Sequence, residues 1–461
     1  MVDDLATGDL MEWHDTDVCV VGAGFAGLAA ARALADAGRD VLVVEARDRV
    51  GGRVWNRTAD GGTVLSVGGS WLGVGQDRMF ALCREHDLEV HEQHAVGDSV
   101  LRMGDTNHRY RGMIPRLNPA VLASLGLALA RLDRMAARLP LDAPWEAKHA
   151  ARLDRQTLGG WLADPTHVPT PAARRLLDVT MQLLFCVDPA EVSLLGALVL
   201  ARGGGGFGYY TDTAKTETHL VVGGVPLLAD RMAAALGGSV RLGEPVHRIA
   251  HDVGGVEVTT PSSIVRAQHV IVTAPAPLIA QIEFDPLLPP AHGHLLRRMV
   301  PGSMIRVQAV YEHAFWRDDG LVGEVVAPEL PVAVTIDQSD PTGRPGVISG
   351  YVFGPAAAEH ARLPAAERRR RCLDSLAACL GDAATDPVDY LETDWSAERW
   401  SLGAMIAHFP PGVLTSYGPA LRAPVGRIHW AGSERATLMH GLMEGAVRSG
   451  EAAAAEVLAA G

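Results

Sequence analysis

The first fifty residues of the chain alternate between apolar runs and short breaks in the order strand, turn, helix, strand. An apolar run over residues 18–21 meets a glycine-rich turn at 22–27, and an alanine-rich segment follows as far as Ala37. A second apolar run, 41–44, ends on Glu45. A change of hydrophobic period from strand to helix and back predicts a parallel α/β unit, with the turn at the carboxyl end of its first strand.

The glycine-rich turn reads GAGFAG, and each of its glycines has a separate physical task. Gly22 makes the tight turn, Gly24 lets the backbone approach a pyrophosphate, and Gly27 lets the helix pack closely on the strand. The first turn of the helix offers unpaired N–H groups and a partial positive charge to phosphate oxygens. Glu45 can accept hydrogen bonds from ribose hydroxyls. Together these features predict a dinucleotide site, which a glycine turn alone does not.

The residues after the second strand indicate which dinucleotide binds. Residues 45–53 read EARDRVGGR, a two-glycine turn flanked by arginines. This continuation resembles the FAD proteins of the glutathione-reductase-like superfamily. An acidic residue at position 45 also suits a ribose that carries no 2′-phosphate. We therefore expect the chain to bind FAD.

Two further islands of strand, turn and helix lie far along the chain. Residues 218–226 contain a Gly-Gly turn that leads into a helix, and residues 429–434 read HWAGSE. A strand that ends in a glycine turn before a helix is a second anion cradle, although a plain tight turn would read the same way. The intervening stretches favour helix (about 120–201) or long strands (about 304–353). We expect the islands to converge on one cofactor and the intervening stretches to build a substrate domain.

The predicted fold class is α/β, with a glutathione-reductase-like FAD-binding domain and a discontinuous α+β substrate domain. The expected parts of the FAD-binding domain are residues 1–90, 221–297 and 398–461. The expected parts of the substrate domain are residues 91–220, which are helical, and 298–397, which form a sheet.

Composition narrows the class of protein further. The 461 residues are 48% hydrophobic, as in a globular protein, and the net charge of −13 argues against nucleic acid or an anionic membrane as a partner. The five cysteines form no CxxC pair, which predicts reduced, mostly buried thiols and no metal site. The sequence shows neither a signal peptide nor an apolar run of membrane-spanning length. We therefore expect a cytoplasmic protein.

Eight motifs over nearly the whole chain resemble the flavin-containing amine oxidases, which include the monoamine and polyamine oxidases and their bacterial relatives. The motifs are GAGFAGL at 22–28, EARDRVGGR at 45–53, GGSWLG at 68–73, VVGGVPLLADRMA at 221–233, AFWRD at 314–318, FPPGVLTSYG at 409–418, HWAGSE at 429–434 and MEGAVRSGE at 443–451. The resemblance implies that a hydride moves from a carbon next to nitrogen to flavin N5. Water would hydrolyse the imine, and O2 would reoxidise the flavin to give H2O2. It also implies a small-molecule substrate and is compatible with a homodimer.

The resemblance carries a set of cofactor-binding positions onto this chain. Val246 is expected beside the adenine, Glu434 beside the ribityl and phosphate groups, and Met443 at the edge of the ring. The full set is Gly22, Gly24, Phe25, Ala26, Gly27, Glu45, Ala46, Arg47, Gly52, Arg53, Gly68, Gly69, Ser70, Trp71, Val246, Trp395, Gly432, Ser433, Glu434 and Met443.

Two departures from the family pattern concern the flavin. Some relatives attach it through a cysteine at the position of Ala404, and an alanine methyl cannot form a thioether, so the FAD is expected to be non-covalent. The flavin-facing lysine of the family is replaced by Arg306, which keeps the positive charge but never donates a proton near neutral pH. We expect Arg306 to act as a catalytic residue, either in place of the lysine or as a bidentate partner of a substrate carboxylate. Simple packing near the ring is the alternative.

A third departure concerns the substrate. Many relatives enclose the amine between two aromatic rings, and the corresponding residues here are Met405 and Leu442, which lack the aromatic face that attracts a cation. We expect these two, with Tyr210 and Tyr351, to contact the substrate. Glu217 is the second candidate catalytic residue. In an apolar pocket its pKa would be raised and it could orient an amine or move a proton, whereas in a polar loop it would be a solvated glutamate.

The predicted function is FAD-dependent amine oxidation. The missing aromatic pair and Arg306 leave open a desaturase or dehydrogenase that acts on a C–C bond beside a carbonyl or on a specialised biosynthetic intermediate. A flavin-binding protein without turnover is a further alternative, against which the intact glycine set argues. The sequence identifies neither the substrate nor the electron acceptor.

Overall fold

The computed structural model describes residues 11–112 and 117–460. The strands are β1 (Glu12–Val21), β2 (Val41–Val44), β3 (Asn56–Thr58), β4 (Val64–Ser66), β5 (Trp71–Leu72), β6 (Val90–Glu92), β7 (Asp98–Met103), β8 (Thr106–Tyr110), β9 (His219–Val221), β10 (Val240–Arg241), β11 (Arg248–His251), β12 (Val256–Thr259), β13 (Ser263–Val272), β14 (Glu283–Asp285), β15 (Val300–Gly302), β16 (Met304–Tyr311), β17 (Leu321–Val326), β18 (Val334–Asp337), β19 (Gly346–Phe353), β20 (Asp389–Asp394), β21 (Ala404–His408) and β22 (Ile428–Trp430). The helices are α1 (Phe25–Asp36), α2 (Asp77–Glu85), α3 (Pro119–Ala136), α4 (Ala150–Arg155), α5 (Leu158–Ala163), α6 (Pro171–Phe185), α7 (Leu194–Gly204), α8 (Phe207–Tyr210), α9 (Thr213–Thr216), α10 (Pro226–Ala235), α11 (Ala276–Ile279), α12 (Pro290–Leu296), α13 (Phe315–Asp318), α14 (Pro355–Ala361), α15 (Ala365–Leu380), α16 (Val413–Tyr417) and α17 (Met443–Ala460).

The first of two large sheets is parallel at its centre. Its strands follow the order β10-β2-β1-β13-β12-β11-β14, and β22 pairs in parallel with the last residues of β13. Residues 18–21 of β1 are buried, as expected for a parallel strand covered on both faces. The carboxyl ends of β1, β2, β13 and β22 therefore meet at one edge of the sheet, where ligands of open α/β sheets bind.

The second sheet is mainly antiparallel and follows the order β20-β16-β19-β18-β17-β7-β8. Every residue of β16 and β19 is buried, because α14 and α15 cover one face and the other face packs on the β3–β4 hairpin and α6. Tyr351 and Phe353 pack on one face of β19 and Val352 packs on the opposite face, which agrees with the period of two along a strand. The domain boundaries given above stay a prediction.

Helix α3 packs against both α6 and α7 in the region where the sequence favoured helix. Asn118 and Thr170 cap the N-termini of α3 and α6 with side-chain oxygens, and a proline follows each cap at the first helical position. No helix within residues 11–112 and 117–460 combines the length and the apolar character that a bilayer crossing requires.

Helix α17 lies directly against α1, and this contact depends on glycine. A Cβ atom at Gly450 of α17 would collide with the carbonyl oxygen of Ala26 in α1. In the same way, a Cβ atom at Gly27 would collide with the carbonyl oxygen of Gly22. The missing side chains let both helices approach the glycine turn, so the C-terminal helix helps to fix the first turn of α1.

We predict that Gly450→Ala lowers the free energy of unfolding by about 1–3 kcal/mol, because overpacking forces the two helices apart. The matched control is Gly126→Ala in α3, where the added Cβ meets nothing within 4 Å. This control should gain about 0.5–1 kcal/mol from the better helix propensity of alanine. Thermal unfolding of both variants measures the difference, and equal shifts in Tm would contradict the packing account.

Candidate active site

A cavity of about 510 Å³ connects the carboxyl edge of the first sheet with the inner face of the second. The residues that follow β1, β2, β13 and β22 line one end of it. Residues of α6, β16, β17, β18 and β19 line the other end. The cavity is therefore built jointly by the glycine-turn islands and by the stretches between them.

The turn after β1 has the features that a diphosphate requires. Gly22 has a positive φ of 105°, and a Cβ atom there would lie 2.6 Å from Oγ1 of Thr273. Gly24 is the N-cap of α1, and no side chain caps the helix. The first N–H groups of α1 are thus left for a ligand, together with the positive end of the helix dipole. The residues present fit a bound dinucleotide.

The end of β2 is tied to this turn by Glu45. Its carboxylate is buried and accepts hydrogen bonds from the backbone N–H groups of Ala23 (2.7 Å) and Arg47 (3.0 Å). The side chain of Arg47 in turn donates to Glu398 (2.6 Å) and Ser401 (2.9 Å). Glu398 and Ser401 could not be predicted, because no local signal links them to a motif more than 350 residues away. They hold Arg47 at the wall of the cavity.

A bidentate ion pair joins the first and last cofactor islands. The guanidinium of Arg53 donates to both carboxylate oxygens of Glu434 (2.6 and 2.9 Å), to Oγ of Ser433 (2.9 Å) and to the carbonyl of Met405 (2.6 Å). Burial alone would raise the pKa of Glu434, but the charge and hydrogen bonds of Arg53 lower it to about 2. Glu434 is therefore ionised across the neutral range.

Arg306 projects from β16 into the cavity wall and is 3% exposed. Its Nε donates to Oγ of Ser349 (2.7 Å), and its Nη1 donates to Oγ of Ser70 (3.2 Å) and to the carbonyl of Gly68. The Nη2 atom is buried without a partner. No carboxylate of the described residues lies within ion-pair distance of the guanidinium, and burial lowers the pKa of Arg306.

Aromatic rings flank this guanidinium. Its Cζ atom lies 5.1 Å from the ring centroid of Trp71 and 5.4 Å from that of Tyr351, distances at which a cation is attracted to the ring face. Arg306 is thus a cation held between neutral groups at the end of the cavity that the second sheet lines.

Two carboxylates form an acidic region elsewhere on the wall, and both lack a cationic partner among the described residues. Burial, with smaller contributions from Glu324 and Asp212, raises the pKa of Glu217 to about 8. Burial also raises the pKa of Glu324, which accepts hydrogen bonds from Ser99 (3.3 Å) and Thr213 (3.1 Å). Asp212 differs, because Nζ of Lys215 lies 3.2 Å from its carboxylate.

Glu217 lines the cavity and is half-buried. The pocket carboxylate and the solvated loop glutamate both stay predictions, and so does its chemical role. The sequence analysis missed Glu324, for which a signal existed. It is a single carboxylate inside the apolar run LVGEVV of β17. A charged residue in an apolar strand is uncommon unless it is paired or has a functional role.

The remaining wall of the substrate end is mostly apolar. Met405 and Leu442 line it, and neither side chain has an aromatic face. Their correspondence to the aromatic pair of relatives stays a prediction. Tyr210 lines it too and donates to the carbonyl of His440 (3.1 Å). The other apolar lining residues are Val179, Leu183, Leu184, Leu200, Met304, Val326, Val334 and Ile336.

Comparison with known proteins identifies the family. The model of the flavin containing amine oxidoreductases matches residues 25–458 of the chain. The chain belongs to this family. Putrescine oxidase of Kocuria rosea is 38% identical, with 97% of this chain and 96% of that protein covered. L-amino acid dehydrogenase of Synechocystis sp. is 34% identical, with 96% and 94% covered. The solved structure of wild-type putrescine oxidase bound to putrescine is 34% identical, with a TM-score of 0.93 and 97% and 100% covered.

The protein is thus an FAD-dependent amine oxidoreductase with the predicted α/β fold. All predicted cofactor positions of this amine oxidoreductase line the cavity except Gly27 and Glu434, which lie behind its wall. Gly27 supports the glycine turn and Glu434 holds Arg53, so both position other groups. The individual contacts with FAD stay predictions.

A candidate metal cluster of the amine oxidoreductase lies outside this cavity. Ligand atoms of His360, Cys372 and Glu392 lie within 4.8 Å of one another. The carboxylate of Glu392 is already bonded to Arg368 (2.7 Å) and Tyr390 (2.7 Å). The cluster therefore reads as a satisfied hydrogen-bond network, and we assign no metal to it.

We predict that Glu217 makes the protein less stable as the pH rises. Its folded pKa of about 8 lies above the ordinary value of 4.5, so the folded state holds the extra proton. Its contribution to stability is fully present below about pH 4.5 and is lost as the pH rises through about 8. Glu217→Gln cannot ionise, and its Tm should exceed that of the wild type increasingly from pH 5 to pH 9.

The control is Glu191→Gln at an exposed position outside the cavity, which should follow the wild-type profile. Parallel profiles of Tm against pH for wild type and Glu217→Gln would mean that the carboxyl group is hydrated rather than buried.

Proposed function

We propose that the protein is an oxidase of amines that carry a second cationic group, with short diamines as the simplest class. The observation that carries this proposal is the pair of cavity carboxylates, Glu217 and Glu324, which face an apolar cavity without a cation of their own. A buried carboxylate is costly unless it is paired. An ammonium group of the substrate would be that partner.

Different residues would hold different parts of the cofactor. The turn at 22–27 and the N-terminus of α1 would hold the diphosphate, Glu45 the ribose and Val246 the adenine. Met443 and Trp71 would lie at the ring. Met443 lies beside the segment that carries Trp71, because it packs on Gly69 so tightly that a Cβ atom there would lie 3.2 Å from its Sδ. When bound, FAD supplies an acceptor for the hydride of a C–H bond next to nitrogen.

The chain itself contributes desolvation and orientation. The apolar residues of the wall exclude water and hold the reacting carbon, while the carboxylates hold the far end of the substrate. These two contacts would fix the substrate in one orientation. The C–H bond that reacts is then held in line with the hydride acceptor, which lowers the entropic part of the barrier. A neutral amine at the reacting end needs no general base, because its nitrogen lone pair assists the departure of the hydride.

The products follow from the balance of atoms. The amine loses two electrons and one proton as a hydride and becomes an iminium ion, which water hydrolyses to a carbonyl compound and an amine or ammonia. We propose O2 as the final electron acceptor, with H2O2 as its two-electron product. The family supports oxidation next to nitrogen over the desaturase and the protein without turnover, since the relatives named above are oxidoreductases of amines or amino acids.

We predict that diamines bleach the visible flavin band under anaerobic conditions at concentrations well below those needed for monoamines of the same length. In Glu324→Gln the apparent KM for the diamine should rise by roughly tenfold or more, because a charged hydrogen bond contributes about 1.5–3 kcal/mol. The KM for the monoamine should change little. A surface control, Glu329→Gln, should leave both values unchanged.

Equal loss for monoamine and diamine in Glu324→Gln would contradict the anchoring role. Failure of every amine to bleach the flavin, while a cyclic ketone succeeds, would replace amine oxidation by the C–C desaturase.

We also predict that FAD is held without a covalent bond. Ala404 lines the cavity and is 4% exposed, but its methyl group offers no sulfur for a thioether. Acid precipitation should release all the yellow colour into the supernatant from the wild-type protein. In Ala404→Cys, part of the colour should stay in the pellet. Colour in the wild-type pellet would contradict the assignment of Ala404 to the attachment position.

A further inference from the structure

The guanidinium of Arg306 is a buried charge without a counter-ion among the described residues. Arg306 is only 3% exposed, and it lines the cavity. Its Nη2 atom has no hydrogen-bond partner among the described residues. The groups that hold its other nitrogens are a carbonyl and two hydroxyls, all neutral. A buried charge in this state is costly until an opposite charge arrives.

The geometry around Arg306 selects the kind of partner. The rings of Trp71 and Tyr351 lie within 5.4 Å of its Cζ atom, and the bonds to Ser349 and Ser70 fix its direction. The guanidinium therefore cannot swing toward Glu217 or Glu324 as a flexible lysine could. A planar carboxylate matches the guanidinium best, because it can accept two parallel N–H bonds.

The cavity thus has a cationic region at Arg306 and an acidic region at Glu217 and Glu324, whose carboxyl groups a substrate cation would hold in the ionised form. Tyr351 contacts the guanidinium of Arg306 and also lies close enough to Glu217 for the charge of that carboxylate to act on its hydroxyl. Between these regions the wall consists of apolar side chains such as Val334 and Ile336, which suit a chain of methylene groups.

We propose that Arg306 binds the carboxylate of the substrate, so that the substrate class is an amino acid with a cationic side chain rather than a plain diamine. This inference rests on the proposed function and narrows it. The carboxylate pairs with Arg306, the side-chain cation pairs with Glu217 and Glu324, and the α-amino nitrogen lies between them. The similarity to L-amino acid dehydrogenase at 34% identity is consistent with this arrangement.

The test compares pairs of compounds that differ only in the carboxylate: ornithine with putrescine, lysine with cadaverine, and arginine with agmatine. The rate of anaerobic flavin bleaching is measured for the wild-type holoenzyme, Arg306→Lys and Arg306→Gln. We expect the wild type to prefer the amino acid in each pair. Arg306→Gln should lose this preference by roughly ten- to hundredfold, since a hydrogen bond to a charged group contributes about 1.5–3 kcal/mol. Arg306→Lys, which keeps the charge, should retain part of it.

Arg422→Gln is the control. Arg422 is half-buried, lies outside the cavity lining and donates only to backbone carbonyl groups. It should keep the wild-type preference. A titration with propionate, read from the visible flavin spectrum, gives a second measure that needs no turnover. Wild type and Arg422→Gln should bind propionate, and Arg306→Gln should bind it at least tenfold more weakly.

The outcomes separate this inference from the proposed function. A wild type that prefers the diamines overturns the role of Arg306 and leaves the diamine oxidase standing. If neither member of any pair bleaches the flavin, the second-cation class of substrate fails, and the propionate titration then decides on Arg306. Loss of flavin in Arg306→Gln with unchanged preference and unchanged propionate binding would make the cofactor, and not a carboxylate, the partner of the guanidinium.

Discussion

The ion pair between Arg53 and Glu434 holds together parts of the chain that the sequence separates by 381 residues. Arg53 follows the glycine turn that begins the cofactor site, and Glu434 precedes the last helix. The carbonyl of Met405 accepts from the same guanidinium, so the strand that carries Ala404 is fixed as well. Glu434 is buried while the side chain of Arg53 is partly exposed, so loss of Arg53 would leave an unpaired carboxylate inside the protein. The pair therefore links the first and last cofactor islands at the wall of the cavity.

Further contacts build the rest of the site. Helix α17 packs directly on α1, where Gly450 allows contact with the backbone of Ala26. The first turn of α1 then presents its N–H groups to a diphosphate beside the ends of four parallel strands. The second sheet closes the other end with an apolar wall, and charge is confined there to Arg306 on one side and Glu217 and Glu324 on the other. Discrimination among substrates thus lies in the placement of three charges.

Much of this arrangement could be predicted from the sequence because the signals are local. The turn at 22–27 and the motif at 429–434 each follow a strand and precede a helix, and Glu45 directly follows the second strand. Such short strand–turn–helix patterns bind phosphate or ribose through local backbone geometry. The placement of Met405 and Leu442 in the cavity wall was also expected, and both residues line the cavity. The fold class and the family were confirmed by the comparisons.

The rest depends on contacts between distant segments. No local pattern joins Arg306 to Ser349, because the pairing of β16 with β19 brings them together. The same holds for Arg47 and Glu398, which meet where loops that follow strands of two different sheets come into contact. Glu324 is an intermediate case, because a single carboxylate in an apolar strand is a local signal but does not show what the carboxylate faces. The alternation of buried and half-buried residues along β17 indicates which face of the strand carries Glu324. Only the assembled sheet shows that this face lines the same cavity as Glu217.

The measurement that tests the account most directly is a double-mutant cycle on Arg53→Gln and Glu434→Gln, with flavin bound per chain and the free energy of unfolding as readouts. The account predicts that each single variant loses flavin and stability, and that the double variant is far less damaged than the sum of the two. A coupling free energy above about 1.5 kcal/mol would agree with a close buried charge pair. Additive losses, or full flavin content in both single variants, would contradict the claim that this pair organises the site.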